Sequence, residues 1–137
     1  MNKRHSAFIF FAMIFFSCVS MASEFDKHGQ RYFLELNGEM LADGSRVYMR
    51  YDLSISENQS NAVIKLTTWH APISCEGDYK MEKNKDGYAL NYLGDSTECI
   101  YPAPQFYIKK KGDDMYIKGE QLVYGKGEWL RLSRGKK

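Results

Sequence analysis

The sequence is poor in the residues that metal sites and catalytic centres most often use. It contains only three cysteines and three histidines in 137 residues, and no group of them has the spacing of a zinc site. The common catalytic motifs are also absent: there is no G-x-S-x-G, no H-E-x-x-H, no Walker loop and no G-x-G-x-x-G. We therefore expect no metal, no cofactor and no enzymatic activity built on them. A pair of carboxylates, as in glycoside hydrolases, is the catalytic arrangement that the sequence leaves open.

The sequence also lacks an excess of charge of one sign. Its 19 lysines and arginines nearly balance its 17 aspartates and glutamates. Lys3 and Arg4, at the extreme N-terminus, account for the formal charge of +2. A neutral surface gives no basis for binding nucleic acid through bulk electrostatic attraction. We therefore expect no nucleic-acid partner.

The N-terminal segment, residues 1–22, predicts a secretory signal peptide. A basic start is followed by an apolar run from Ala7 to Phe16, and the small residues of Ser-Met-Ala close the segment. The apolar run is shorter than the roughly 20 residues that cross a bilayer, so we expect no integral membrane span. The remaining domain, residues 23–137, is predicted to be periplasmic or secreted. Cys18 follows Phe-Phe-Ser, which is similar to a bacterial lipobox, so a lipoprotein is an alternative.

Only two cysteines, Cys75 and Cys99, follow the predicted signal peptide. An even pair of cysteines in an oxidising compartment predicts a disulfide. The residues between them read as a hairpin, with polar and apolar positions alternating on either side of an Asn-Lys-Asp-Gly turn. If Lys83 pairs with Tyr88, the two cysteines lie at the open end of this hairpin, and the disulfide closes it.

Short segments with strand character fill the rest of the chain, and no window of helical length has a sustained period of 3.6 residues. Nine segments are predicted as strands: Arg31–Leu36, Arg46–Ile55, Ala62–Trp69, Cys75–Lys83, Tyr88–Leu93, Gln105–Lys110, Met115–Lys118, Gln121–Tyr124 and Glu128–Leu132. Connections this short favour antiparallel neighbours in a meander. The sequence therefore predicts a single all-β domain, an antiparallel β-barrel or β-sandwich of about eight strands. Its core comes from one face of each strand.

Two loop segments next to the cysteines have the composition of a recognition site. Trp69 and His70 end a predicted strand just before a proline, and Tyr101 begins a segment with prolines at alternate positions. Because the disulfide joins both segments, we expect them to lie on one edge of the domain. The predicted partner-binding residues are Trp69, His70, Tyr101, Pro102 and Gln105. The alternative is that Trp69 plugs the end of the barrel.

In size, signal peptide, strand content and single disulfide, the chain is similar to small secreted bacterial β-domains such as periplasmic lysozyme inhibitors and toxin-neutralising immunity proteins. This similarity implies a non-catalytic protein that binds a protein partner through its loops. Two alternatives belong to other classes: a barrel that carries a small apolar ligand, and a hydrolase with a carboxylate pair. The interior volume of the barrel distinguishes the protein-binding hypothesis from the ligand-carrier hypothesis, because a barrel filled with side chains leaves only its surface for binding.

Overall fold

The computed structural model describes residues 29–122 and 124–136, and these residues form eight β-strands. The strands are β1 (Gln30–Met40), β2 (Arg46–Ile55), β3 (Asn61–Trp69), β4 (Gly77–Lys83), β5 (Tyr88–Tyr92), β6 (Phe106–Lys111), β7 (Asp114–Lys118) and β8 (Leu130–Arg134). Each strand pairs antiparallel with the next, and β8 pairs with β1, so the sheet closes into a barrel. The all-β prediction is confirmed, and the barrel is the architecture formed. The predicted signal peptide and Cys18 lie outside the described residues.

No helix in the described part of the chain is long and apolar enough to cross a membrane.

The up-and-down order of the strands divides their connections between the two ends of the barrel. One end has short turns, at residues 56–60, 84–87 and 112–113. The other end has one segment of similar length, 41–45, and three longer ones, 70–76, 93–105 and 119–129. We call it the long-loop end. Both segments that the sequence singles out for recognition belong to the long-loop end. The remainder of the barrel holds them in place.

Side chains fill the barrel interior, and most of them come from alternate positions along the strands. Tyr51, Tyr79 and Phe106 are almost fully buried at its centre. The ring centroid of Phe106 lies 5.6 Å from that of Tyr79 and 6.3 Å from that of Tyr51, and both pairs pack edge to face. Burial raises the pKa of Tyr51 to about 12 and raises that of Tyr79 further. Aliphatic side chains from all eight strands surround these three rings.

The prediction of a strand at Gln121–Tyr124 is wrong. Gln121 and Leu122 are buried in a turn, and the carbonyl oxygen of Gln121 accepts a hydrogen bond from the hydroxyl of Tyr51 (3.3 Å). The side chain of Leu122 is fully buried in the hydrophobic core, so the composition of this turn imitates a short strand. The last strand begins at Leu130 rather than Glu128, because a turn occupies residues 124–128.

Candidate functional site at the long-loop end

A disulfide between Cys75 and Cys99 joins two of the four long segments, 70–76 and 93–105 (S–S 2.01 Å). Both cysteines are buried, and the backbone N–H of Cys75 donates to the carbonyl of Glu98 (2.9 Å). The hydroxyl of Tyr79 donates to the carbonyl of Cys75, which ties this junction to the barrel interior. The predicted pairing of cysteines is confirmed. We call the two joined segments the disulfide corner.

The hairpin beneath the disulfide corner has the register that the sequence predicts, with Lys83 opposite Tyr88 and Tyr79 opposite Tyr92. The strand itself begins at Gly77 rather than Cys75. Cys75 has a positive φ of 60°, so its backbone turns away from the ladder before the strand starts. In the hairpin register, Cys99 lies beyond the position opposite Cys75, and this turn brings the two cysteines together.

Trp69 and His70 lie together on the surface at the end of β3. The Trp69 side chain is 56% exposed. Its ring meets that of His70 edge to face, with the centroids 4.7 Å apart. His70 has a positive φ of 56°, which turns the chain out of the strand into segment 70–76. The alternative in which Trp69 plugs the barrel is therefore wrong, because more than half of its side chain is exposed.

The other three predicted binding residues differ in exposure: they are Tyr101, Pro102 and Gln105. Pro102 is exposed and Tyr101 is half-buried, whereas Gln105 is buried. The side chain of Gln105 accepts a hydrogen bond from the backbone N–H of Tyr92 (2.8 Å) and donates to the carbonyl of Tyr101 (3.1 Å). Gln105 thus fixes the segment that carries Tyr101 and presents no polar group of its own to the surface.

Exposed apolar side chains concentrate at the long-loop end, and the sequence pattern identified only one of them. Five large hydrophobic residues are more than half exposed among the described residues: Met40, Trp69, Ile73, Leu93 and Ile100. All five lie in the long segments or at the strand ends that lead into them. Ile100, next to the disulfide, is the most exposed at 82%.

The long-loop end is also acidic. Its four segments contain one lysine, no arginine and six carboxylates: Asp43, Glu76, Asp95, Glu98, Glu120 and Glu128. The lysine, Lys126, forms an ion pair with Glu120 (3.3 Å). Hydrogen bonds from the backbone and side chain of Thr97 lower the pKa of Asp95. Those from the side chain and backbone of Ser45 lower the pKa of Asp43. Both carboxylates therefore stay charged at a lower pH than an unpartnered aspartate.

These carboxylates do not form a metal site. In the portion of the chain that the structure describes, no three histidine, cysteine, aspartate or glutamate side chains are placed to hold a metal ion together.

A separate cleft of about 710 Å³ lies near the short-turn end, where β7, β8 and β1 meet. Asp113, Asp114, Arg131 and Arg134 line much of it. Arg131 and Asp114 form an ion pair across it (2.7 Å), and Arg134 donates to the carbonyl of Asp113 (3.3 Å). Four of the eight residues that line it are charged, so it differs from the mostly apolar cavity of a ligand carrier.

Comparison of the chain with protein-family models, characterised proteins and solved structures finds no match.

Two buried glutamines at the long-loop end allow a matched test of the packing beneath it. Neither polar atom of the Gln121 amide has a hydrogen-bond partner within the described residues, whereas the Gln105 amide has two. A buried polar group without a partner costs about 1–3 kcal/mol. We expect Gln121→Met to raise the free energy of unfolding by about 1 kcal/mol and Gln105→Met to lower it by about 1–2 kcal/mol.

Urea denaturation of the two methionine variants and the wild type measures this difference, since both changes nearly conserve side-chain volume. Equal losses of stability in the two variants would contradict the prediction, because they would show that the Gln121 amide is as well satisfied as that of Gln105.

Proposed function

We propose that the protein is a non-catalytic binding protein that recognises another protein through its long-loop end, in the periplasm or outside the cell. The observation that carries this proposal is the concentration of all five exposed large apolar side chains at one end of the barrel, among the residues that the structure describes. Scattered exposed apolar residues need no explanation, but a concentration of them is typical of a binding surface. Trp69 is a tryptophan, one of the residue types enriched among the side chains that contribute most of the binding energy at protein interfaces.

The rigidity of the disulfide corner supports the same function. Cys75–Cys99 fixes segment 93–105 to segment 70–76, and the Gln105 amide fixes the backbone at Tyr101. Proline at 102 and 104 limits the backbone further. A surface that is already ordered loses less conformational entropy when a partner binds. The disulfide also fits an oxidising compartment, where such bonds persist.

The packing of the interior favours a protein partner over a small apolar ligand. Tyr51, Tyr79 and Phe106 occupy the volume that a carried ligand would need. Pockets for drug-sized molecules are generally about 300–1,000 Å³ and mostly apolar. The cleft near the short-turn end has that volume, but four of its eight lining residues are charged.

Site-specific cross-linking tests the proposal. A photo-reactive amino acid in place of Ile100 should capture a discrete protein partner from an extract of the source cells, whereas the same amino acid in place of Lys85, in the turn 84–87, should not. Cross-linking that is equal at both positions, or absent at position 100, would count against a binding surface at the long-loop end.

Substitutions then test the energetics with the captured partner in purified form. We expect Trp69→Ala and Ile100→Ala each to weaken binding at least tenfold, since truncation of an interface anchor costs about 2 kcal/mol or more. Both side chains are exposed, so the unfolding midpoint should change little, and Lys85→Ala should change neither property. A lower midpoint with unchanged affinity would mean that Trp69 and Ile100 serve the fold instead.

A further inference from the structure

We infer that the surface bound by the long-loop end is cationic, with lysine or arginine side chains around an apolar centre. This inference rests on the proposed function and specifies the chemistry of the protein partner. It follows from the charges that the disulfide corner gathers beside its exposed apolar residues.

Three carboxylates lie near one another at the disulfide corner, those of Asp78, Asp95 and Glu98. The hydroxyl of Tyr92 lies among them: it contacts the side chain of Glu98 (2.9 Å) and the carbonyl of Glu76 (3.0 Å). Partial burial raises the pKa of Tyr92, and the hydrogen bond to Glu98 and the negative charges of Glu98, Asp95 and Asp78 raise it further. These carboxylates are therefore close enough to act on a single hydroxyl group.

No basic side chain neutralises this group within the described residues. Five other carboxylates form ion pairs there: Glu35 and Asp52 with Arg50, Glu82 with Lys80, Asp114 with Arg131, and Glu120 with Lys126. None of the three carboxylates at the disulfide corner does so in the same part of the chain. The sequence explains this difference, since residues 66–79 and 86–108 contain neither lysine nor arginine. In a chain whose charges are otherwise balanced, the corner is left negative.

The two segments that the disulfide joins also carry exposed apolar residues. Ile73 belongs to one joined segment, and Leu93 and Ile100 belong to the other; each is more than half exposed. An apolar centre within a charged rim is the usual anatomy of a protein interface. An anionic membrane surface would attract basic residues rather than this acidic corner. The absence of a metal-binding group among the described residues also favours an extended cationic surface over a single ion.

The charged and the apolar residues of the surface affect different steps of binding, association and dissociation. Charges that face water contribute little to affinity one by one, but their combined field steers an oppositely charged partner and raises the association rate. Apolar anchors act mainly on the dissociation rate. Salt should therefore slow association with the partner and leave dissociation nearly unchanged, because the Debye length falls to about 3 Å at 1 M salt.

Two synthetic peptides test the inference even before the partner has been identified. The two peptides have the same length and the same leucine positions. Every polar position is lysine in one peptide and glutamate in the other. The oxidised wild-type protein should bind the lysine peptide at least tenfold more tightly than the glutamate peptide at low salt. It should also bind the lysine peptide in preference to vesicles of anionic lipid.

Variants in which an amide replaces a carboxylate test whether the lysine peptide binds at the disulfide corner. Asp95→Asn with Glu98→Gln removes two charges but keeps acceptors for Thr97 and Tyr92, so the corner should stay folded. We expect this double variant to bind the lysine peptide about tenfold more weakly, because it removes two of the negative charges that attract the peptide. The matched control is Glu57→Gln with Asp86→Asn in the short turns, which should bind like the wild type.

The outcomes separate this inference from the proposed function. Three results would contradict the inference that the partner is cationic. They are equal affinity for the two peptides, a preference for anionic vesicles, and equal weakening of peptide binding in the control variant. If position 100 still cross-links a protein in that case, the binding function stands and only the chemistry assigned to the partner fails. Absence of cross-linking at position 100 would instead remove the function on which the inference rests.

Discussion

Phe106→Ala is expected to lower the free energy of unfolding by about 3–5 kcal/mol, the range found when a buried aromatic side chain is truncated. Phe106 is fully buried, and its ring packs edge to face against both Tyr51 and Tyr79. Truncation therefore removes transfer free energy and two aromatic contacts, and it leaves a cavity among rings that strands on opposite sides of the barrel hold in place. Urea denaturation followed by tyrosine fluorescence measures the loss.

The conservative variant Phe106→Leu provides the control for this prediction. It retains most of the apolar volume, so we expect a smaller loss, with the β-sheet circular dichroism of both variants retained below the transition. A loss under about 1 kcal/mol in Phe106→Ala would mean that the barrel centre is loosely packed. The small-ligand alternative would then regain support, because an unfilled interior is what a carrier requires.

The core was predictable from the sequence because burial in a strand repeats every second residue. Val47, Met49, Tyr51 and Leu53 follow this rule along β2, and each is buried as the alternation requires. The meander was predictable as well, since the connections are too short for crossovers. The closure of the sheet was not predictable in the same way, because closure depends on how β8 meets β1, and that pairing is not local in sequence.

The candidate site was predictable only in part, because the loops have no period that reports burial. Trp69 and Cys99 could be placed by residue type and by the disulfide. Gln105 was predicted as a binding residue from its position after two prolines, yet it is buried by hydrogen bonds to Tyr92 and Tyr101 that only the folded barrel brings within reach. Ile100 is not among the predicted binding residues, although it is the most exposed large apolar side chain described.

Replacing the disulfide by Cys75→Ser with Cys99→Ser is expected to lower the free energy of unfolding by about 3 kcal/mol. The bond closes a loop of 24 residues in sequence separation, and loop closure of this length restricts the unfolded chain by about that amount. The β-barrel should persist, because its ladder and its aromatic centre do not include either cysteine. Urea midpoints of the oxidised wild type and of the double variant measure the change, and equal midpoints would contradict it.

The same variant should lose partner binding more strongly than Trp69→Ala, because the disulfide holds the whole surface rather than one anchor. Without it, segment 93–105 keeps the Gln105 amide contacts at its far end, but its junction with segment 70–76 depends on single hydrogen bonds such as Cys75 N–H to Glu98. The added freedom of Ile100 and Glu98 must then be lost on binding. We expect at least a tenfold loss of affinity for the captured partner under conditions where the variant remains folded. Affinity equal to that of the wild type, at a lowered unfolding midpoint, would show that the disulfide stabilises the barrel without organising the binding surface.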